Sequence, residues 1–319
     1  MVKYEALSIP TLPLVGPVNA YLIKNDPVTL IDCGLDIPEA RAALTEQLAV
    51  RGMGWENIKR IIITHAHSDH FGMAAEIQRI SGAAVYMHNK EITKTRYRLR
   101  YLEHVISYMA YAGTPEAQCQ EQRDYFASEF VRPPEEITGI EDGHIFTFDG
   151  FKLKAILTPG HSAGHLCLYQ EEEGLLFSGD TVLAKVRPKP LLEPLPEQPF
   201  QREKGLVQYI NSLNSLKKLN IKQILPGHGK IISDVAAVLE HADEAFRIRK
   251  EEVCGIAARI KVFNPFDLMS EMYSDFRGPL DVTMALSEVL GYLDVLEAEG
   301  KVTQQETNLS LSYTYRSYI

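Results

Sequence analysis

The sequence lacks the features that would place it in a secreted, membrane-bound or disulfide-stabilised class. It has four cysteines in 319 residues, widely spaced and without a C-x-x-C pair, so we expect reduced thiols. No apolar run approaches the roughly 20 residues that a membrane helix needs. The N-terminus has no basic stretch followed by an apolar core. These absences predict a cytoplasmic protein that does not associate with a membrane.

An excess of basic side chains is also missing. The chain has 33 Lys and Arg against 42 Asp and Glu, a net charge of −9, and residues 235–319 alone hold 8 basic and 14 acidic side chains. An acidic protein is a poor default partner for nucleic acid or an anionic membrane. The rest of the composition, 45% hydrophobic and 24% charged, is that of an ordinary globular protein. We therefore expect a small-molecule substrate.

The order of strand and helix signals predicts a layered α/β domain followed by a smaller one. The first ninety residues alternate between short β-branched runs and helical segments, with Asp36 as the expected cap of the first helix. A helical insert rich in Tyr, Phe and Met covers about residues 90–135, and short strands then resume. Two helical stretches come last, which predicts domains of residues 1–234 and 235–319.

The strongest chemical signal is the run Thr64-His65-Ala66-His67-Ser68-Asp69-His70, which directly follows an apolar strand. Neutral imidazole nitrogens and carboxylate oxygens are the ligands that zinc and its neighbours prefer. His65 and His67 are two residues apart and point the same way in an extended loop. Asp69 and His70 begin the next helix and diverge from that pair. One turn can therefore supply ligands to two metal ions.

Three further fragments carry histidine or aspartate beside glycine at the end of an apolar strand. They are PGHSAGH at 159–165, FSGD at 177–180 and PGHG at 226–229. Taken alone, each fragment is more often an ordinary turn, because glycine permits tight backbone geometry. Next to the histidine cluster, His161, Asp180 and His228 become candidate ligands supplied by other strands.

These motifs, in this order, resemble the metallo-β-lactamase superfamily over about residues 5–232. H-x-H-x-D-H is followed by Gly-His-Ser, Ser-Gly-Asp and Pro-Gly-His-Gly, and an early aspartate, Asp32, ends a strand. Dinuclear hydrolases of the glyoxalase II kind look closer than true lactamases, because Asp180 stands where lactamases generally carry a cysteine ligand. The resemblance implies an α/β fold: a four-layer αββα sandwich with a helical insert and a small, mainly helical, winged-helix-like C-terminal domain.

The resemblance also implies two divalent metal ions and a role for each matching residue. We expect zinc, with iron or manganese as alternatives. The first ion is held by His65, His67 and His161. The second is held by Asp69, His70 and His228, and Asp180 bridges both ions. Asp32 is a scaffold residue beneath the site. His165 either orients a neighbour or the substrate, or is a hydrogen-bonded core histidine.

The chemistry that the resemblance implies is hydrolysis by a hydroxide shared between the two ions, with Asp69 accepting a proton from the nucleophile. A thioester, ester or lactone of a small molecule is the expected substrate. The alternative is cleavage of an RNA phosphodiester, since relatives with winged-helix-like tails include RNA-cleaving enzymes, but this reaction calls for a basic surface. A metal-binding module without catalysis would lack ligands, and this chain has all seven.

The insert separates His70 from His161 in sequence, so we expect it to lie near the metals. It carries an apolar and aromatic stripe at roughly helical spacing: Tyr97, Tyr101, Leu102, Val105, Ile106, Tyr108 and Met109. This stripe either forms a wall of the substrate pocket or packs the insert onto its own domain or onto the second subunit of a homodimer. Five prolines after Asp180 mark a second rim: Pro188, Pro190, Pro194, Pro196 and Pro199. For the C-terminal part we expect a helical cap.

Overall fold

The computed structural model describes most of the chain, namely residues 2–11, 16–128, 131–184, 190–195, 197–198, 200–307 and 309–316. Three prolines of the expected rim, Pro188, Pro196 and Pro199, lie outside the described residues. Within these ranges, no helix is both long and apolar enough to cross a membrane.

Two mixed β-sheets form the centre of the fold. The first consists of β1 (Tyr4–Ile9), β2 (Val18–Ile23), β3 (Thr29–Ile31), β4 (Arg60–Ile62), β5 (Ala84–His88) and β6 (Thr138–Ile140). These strands lie side by side in sequence order, antiparallel from β1 to β3 and parallel from β3 to β6. The second sheet consists of β7 (Ile145–Phe148), β8 (Phe151–Leu157), β9 (Leu166–Gln170), β10 (Leu175–Gly179) and β11 (Gln223–Pro226). Its order is β11-β10-β9-β8-β7, with β10 parallel to β11 and the other pairs antiparallel.

Helices cover the outer face of each sheet and fill the connections. They are α1 (Pro38–Ala49), α2 (Ser68–Phe71), α3 (Ala74–Ser81), α4 (Asn89–Arg96), α5 (Arg98–Tyr111), α6 (Glu116–Ser128), α7 (Gly205–Leu216), α8 (Val235–Ile260), α9 (Pro265–Met272) and α10 (Pro279–Ala298), with a short 3₁₀ turn at Trp55–Asn57. Side chains of α1 and α3 pack on the first sheet, and those of α7 and the start of α8 pack on the second.

A separate apolar core fills the space between the two sheets. Ile31 and Ile62 of the first sheet meet Leu168 and Phe177 of the second there. Strands β3, β9 and β10 are buried on both faces, which explains why they read as continuous apolar runs in the sequence. Helix, sheet, sheet and helix thus stack in four layers, and the predicted αββα sandwich is confirmed.

Two local predictions about helices were wrong. Asp36 does not cap α1, because Pro38 occupies the first helical position and Ile37 becomes the capping residue. The Asp36 carboxylate accepts hydrogen bonds from Arg41 instead. The sequence also predicts one helix from about Asp69 to Ile80, ended by Gly82, but the structure interrupts it between α2 and α3.

The C-terminal part combines helices with a small sheet. After α8 come β12 (Val262–Phe263), α9, α10, β13 (Val302–Glu306) and β14 (Leu311–Tyr315), and the three strands pair antiparallel in the order β12-β14-β13. Apolar residues of α10 such as Leu286 and Leu290 share one core with Val105 and Met109 of the insert. The domain boundary near residue 234 and the winged-helix assignment stay predictions.

Candidate metal centre

The predicted ligands come together at one edge of the sandwich, where strands of both sheets end. They lie in four connections: His65, His67, Asp69 and His70 between β4 and α3, His161 between β8 and β9, Asp180 after β10, and His228 after β11. Parallel neighbours such as β10 and β11 end at the same edge, so the residues that follow them become neighbours in space.

One group of donors consists of three histidines. His67 Nδ1 lies 2.8 Å from His65 Nε2 and 3.0 Å from His161 Nε2. Two ligands of one tetrahedral zinc, each about 2.0–2.1 Å from the ion, are roughly 3.3 Å apart. The three nitrogens are therefore close enough to bind a single ion.

A second group consists of Asp69, His70 and His228. Asp69 Oδ2 lies 3.3 Å from His228 Nε2 and 3.8 Å from His70 Nε2. Asp180 lies between the two groups: its Oδ2 is 3.6 Å from His161 Nε2 and 3.7 Å from His228 Nε2, and its Oδ1 is 3.5 Å from His70 Nε2. One carboxylate thus faces both groups, which is the position expected of a bridging ligand.

Oxygen atoms behind the site hold the outer ring nitrogen of several histidines. The Thr64 hydroxyl donates to Asp32 Oδ2 at 2.8 Å, so its oxygen accepts from His65 Nδ1 at 3.0 Å. Asp32 Oδ2 also accepts from His70 Nδ1 at 2.8 Å, and a backbone carbonyl accepts from His228 Nδ1 at 3.1 Å. The ring protons are therefore on Nδ1, and the Nε2 lone pairs face the site as metal ligation requires.

His165 does not face the centre of the site. Its Nε2 accepts from the backbone N–H of Asp180 at 3.0 Å, and its Nδ1 lies 3.0 Å from the Thr181 hydroxyl and 3.1 Å from the Thr158 hydroxyl. The buried ring therefore fixes the loop that carries Asp180. Of the two roles left open by the sequence, this geometry favours the orienting one.

The environment keeps His65, His67 and Asp69 in the protonation states that bind a cation. Burial lowers the pKa of His65 and of His67 well below the usual range, and neighbouring imidazoles act in the same direction. Burial opposes ionisation of Asp69, but the nearby rings of His70 and His228 outweigh it and lower the pKa of this carboxyl to about 2. Neutral imidazole and ionised carboxylate are the forms that a divalent metal needs. Burial would also lower the pKa of His70 and of His228, but the neighbouring carboxylates outweigh it and raise both, so a metal ion displaces a proton there on binding.

Three buried polar atoms of the site make no hydrogen bond to any residue that the structure describes. They are His70 Nε2, His228 Nε2 and Asp180 Oδ1. Buried polar atoms are nearly always paired, because an unpaired one costs roughly 1–3 kcal/mol. All three belong to predicted ligands and face the space between the two donor groups, where one kind of partner, a divalent cation, satisfies them all. The residues present therefore fit a metal centre.

A cavity of about 470 Å³ opens beside these donors. Its reactive end is lined by five predicted ligands: His67, Asp69, His161, Asp180 and His228. Its apolar wall comes from three distant parts of the chain: Leu102 and Phe126 of the insert, Leu191 and Leu192 of the loop after Asp180, and Leu280 and Met284 of α10. The C-terminal part is therefore more than the cap we expected, since it contributes directly to the cavity.

Residues of the aromatic stripe of the insert lie in two different environments. Tyr101 and Leu102 line the cavity, whereas Tyr108 and Met109 are buried in the core shared with α10. Tyr97 is 62% exposed. The sequence left a pocket wall and internal packing open as alternatives, and different residues of the stripe serve each of them.

Sequence reasoning missed a charged group in the cavity wall. Lys94 and Glu193 line the cavity, and Glu91 lies behind them. Lys94 Nζ is 2.7 Å from Glu91 Oε1 and 3.0 Å from both carboxylate oxygens of Glu193. Glu91 and Lys94 are three residues apart on a helix, which is the usual spacing of an exposed surface pair. That spacing carries no sign of their burial.

Comparisons with known proteins agree with this geometry. The family described as "Metallo-beta-lactamase superfamily" matches residues 13–228. The chain is 32% identical over 307 residues to "Probable metallo-hydrolase YqjP" of Bacillus subtilis (strain 168), covering 93% of each protein. It is 28% identical over 239 residues to "Lactamase-like protein nscB" of Aspergillus fumigatus, covering 75% of this chain and about half, 54%, of that relative. A crystal structure of a metallo-beta-lactamase family protein from Thermus thermophilus matches with a TM-score of 0.83 at 28% identity, covering 98% of each chain.

Proposed function

The chain belongs to the metallo-β-lactamase superfamily, and from this membership we propose that it uses two divalent metal ions to hydrolyse a small thioester, ester or lactone. Metallo-hydrolase character comes with the family, whereas the substrate class and the number of metals are our proposal. The observation that carries the proposal is the cavity, which joins the predicted ligands to an apolar wall.

The donor set supports zinc as the metal, because imidazole and carboxylate suit it; iron and manganese accept the same donors. When bound, such an ion acts as a Lewis acid on the substrate carbonyl and lowers the pKa of water. In our proposal one ion is held by the three-histidine group and the other by Asp69, His70 and His228, with Asp180 shared between them. Asp69 is ionised and faces the cavity, so it is the residue that orients the attacking water and accepts its proton.

The shape of the cavity supports an acyl substrate with an apolar acyl group. A volume of about 470 Å³ lies within the usual range of small-molecule sites, roughly 300–1,000 Å³. An acyl carbon chain placed against Leu102, Phe126 and Met284 would leave its carbonyl at the ligand end. Each buried methylene contributes about 0.8 kcal/mol, or roughly fourfold in kcat/KM.

The charges around the cavity favour this substrate class over RNA. The cationic side chains Lys94, Arg98 and Arg277 are accompanied by the carboxylate of Asp281 and by two carboxylates among the predicted ligands, and Lys94 is also paired with Glu91. Phosphodiester recognition needs an excess of basic groups, and the whole chain carries −9. We therefore treat RNA cleavage as an outcome that the experiment must distinguish.

The test is hydrolysis of a medium-chain acyl thioester by zinc-loaded protein, beside single-stranded RNA under the same conditions. We expect thioester turnover, about two zinc ions per chain by elemental analysis, and no RNA cleavage. His67→Ala removes a donor common to two short contacts, so we expect it to lose both bound zinc and turnover.

His241→Ala is the matched control, because His241 is an exposed histidine on α8 outside the donor groups. We expect it to keep wild-type zinc content and rate. Full thioester hydrolysis in chelated, metal-free protein would contradict the proposed function. RNA cleavage without thioester turnover would replace it with the phosphodiesterase alternative.

A further inference from the structure

We propose that Glu193 is a catalytic acid: held as a neutral carboxylic acid in the cavity wall, it donates a proton to the leaving oxygen of an ester or lactone. This inference rests on the proposed function and narrows it, because it concerns substrates whose leaving group is an alkoxide. Glu193 lines the same cavity as the predicted ligands and its side chain is 6% exposed.

Lys94 cannot take this role, because its three protons are already committed. An ammonium group has three donors and no acceptor. The Lys94 ammonium donates to the Ser162 hydroxyl at 2.5 Å, to Glu91 Oε1 at 2.7 Å and to the Glu193 carboxyl at 3.0 Å. It therefore acts as a fixed support that positions Glu193 in the wall.

Glu91 is the carboxylate that must stay ionised. Besides Lys94, it accepts from the backbone N–H of Ala66 at 2.8 Å, from the backbone N–H of Gly164 at 2.7 Å and from the Ser162 hydroxyl at 2.5 Å. Hydrogen bonds to the charged form stabilise it. The pKa of Glu91 is accordingly lowered, even though burial alone would raise it.

Glu193 has far fewer donors than Glu91. Its donors are the Lys94 ammonium and the Tyr101 hydroxyl, which is shared with the Leu192 carbonyl at 3.3 Å, and no backbone N–H among the described residues donates to its carboxyl. Two buried carboxyl groups and one ammonium have no net charge together only when one of the two carboxyl groups is protonated. The different number of donors assigns that proton to Glu193.

The titration of Glu193 agrees with this assignment. Burial raises its pKa to about 7, with Lys94 opposing the shift and the Glu91 charge adding to it. The other ionisable groups on the elements packed around it are Tyr101, Arg98 and the Lys90–Glu203 ion pair, in which the Lys90 ammonium lies 2.7 Å from the Glu203 carboxylate. A carboxyl with a pKa near the working pH is suited to proton transfer.

The proposed step balances with water alone. As the bond between the carbonyl carbon and the new oxygen forms, the bond from that carbon to the leaving oxygen breaks and its electron pair goes to the oxygen. The Glu193 proton moves to this oxygen, so an alcohol departs and Glu193 is left as a carboxylate. Solvent then returns a proton to it. A thiolate leaving group needs no such proton, because it is far less basic than an alkoxide.

The leaving group therefore provides the test. We would compare zinc-loaded wild type and Glu193→Gln on an alkyl ester and a thioester with the same acyl group. General acid catalysis contributes about 10²–10⁴-fold, so we expect the variant to lose at least about 100-fold in kcat on the ester and less than tenfold on the thioester. In the wild type, ester kcat should fall as pH rises through about 7, because the acid form of Glu193 is lost, and Glu193→Gln should lack this limb.

Glu203→Gln is the matched control, because Glu203 pairs with Lys90 one helical turn from Lys94 but does not line the cavity. It should leave both substrates and the pH profile unchanged. Equal loss on ester and thioester in Glu193→Gln would show a positioning role only and overturn the proposal, as would full ester activity.

Infrared spectroscopy separates this inference from the proposed function. It reads the protonation of Glu193 in the zinc-loaded protein whether or not the chosen ester is a substrate. We expect a carboxylic acid C=O band at pH 6 that disappears by pH 8.5 and is absent from Glu193→Gln. An ionised Glu193 at pH 6 overturns the inference even where hydrolysis is observed, whereas wild type that shows the band but cleaves neither ester nor thioester refutes the proposed function.

Discussion

Gly227 precedes His228 at a point where the backbone passes close to two predicted ligands, Asp180 and His70. A Cβ atom at this position would lie 2.4 Å from Asp180 Oδ1 and 2.8 Å from His70 Cε1. Its φ angle is not in the left-handed region, so alanine brings no backbone strain. Gly227→Ala therefore presses one methyl group against two predicted ligands and, at 3.1 Å, against the backbone carbonyl carbon of Gly179.

The size of the effect follows from the distances. Ordinary contacts of a Cβ begin near 3.4 Å, so the Asp180 carboxylate would have to move by about 1 Å. Metal–ligand distances are defined to about ±0.2 Å, and a misplacement of 1 Å in an active site costs about 10²-fold in rate. We expect Gly227→Ala to lose one metal ion per chain and about 100-fold in kcat/KM.

Gly229→Ala is the control, two residues away in the same turn. A Cβ there would contact nothing within 4 Å, but the residue has a φ of +79°. Alanine at such a position costs roughly 1–2 kcal/mol of folding stability. We therefore expect the two variants to differ in zinc content. Gly229→Ala lowers the unfolding midpoint and keeps zinc and activity, while Gly227→Ala loses zinc and activity and is destabilised only to the extent that bound zinc stabilises the wild type.

Zinc content by elemental analysis, kcat/KM on the thioester and unfolding in urea are the three measurements. Wild-type zinc and wild-type rate in Gly227→Ala would refute the reasoning, because they would show that Asp180 is free to move without consequence. Loss of folding in both variants would show that the two glycines are needed for the conformation of the turn, rather than to leave space for the Asp180 carboxylate.

Two further predictions concern α10. Asp294 accepts two hydrogen bonds, at 2.7 and 2.8 Å, from the guanidinium of Arg202 in a buried ion pair. Asp294→Ala should therefore lower the free energy of unfolding by about 3–5 kcal/mol in denaturant titrations. A loss below about 1 kcal/mol would contradict the stabilising role of this pair. Met284 is half-buried in the cavity wall, so Met284→Trp should lower kcat/KM on long acyl chains by about fourfold per methylene displaced and spare acetyl substrates. An unchanged chain-length profile would place the acyl group elsewhere.

That the predicted metal donors lie close together could be expected from the sequence, because their signals are local. Four of them lie within six residues, and the others stand beside glycine at strand ends, where the polypeptide must turn. Buried strands such as β3 and β10 read as short apolar runs and indicated a layered α/β domain, whereas the four-layer sandwich was implied only by the family resemblance. Even Asp32 was noticed, because it ends a strand, although its hydrogen bonds to Thr64 and His70 required coordinates.

The charged group behind the cavity was not predictable, because burial depends on which segments fold over a helix. Glu91 and Lys94 lie on α4 with the spacing of a solvent-exposed pair. They become buried because the loop carrying Glu193 and the turn carrying Ser162 close over them. Nothing in the composition of α4 itself distinguishes these two residues from the Arg79 and Glu76 pair, which has the same spacing and lies at the surface.

The cavity wall could not be predicted from the sequence either, and it is formed by other segments than those that carry the predicted donors. The donors belong to connections of the sandwich. Strand register holds these connections in place, and the insert residues Glu91 and Lys94 add hydrogen bonds to them at Ala66 and Ser162. The apolar wall comes from the insert, the loop after Asp180 and α10, which share one core and the Arg202–Asp294 pair. If the proposed function holds, substitutions in that wall change which acyl group is accepted without moving a predicted metal ligand. The metallo-hydrolase character follows from motifs that sequence comparison detects, whereas the shape of the cavity depends on segments about 180 residues apart that line it together, such as those of Leu102 and Met284.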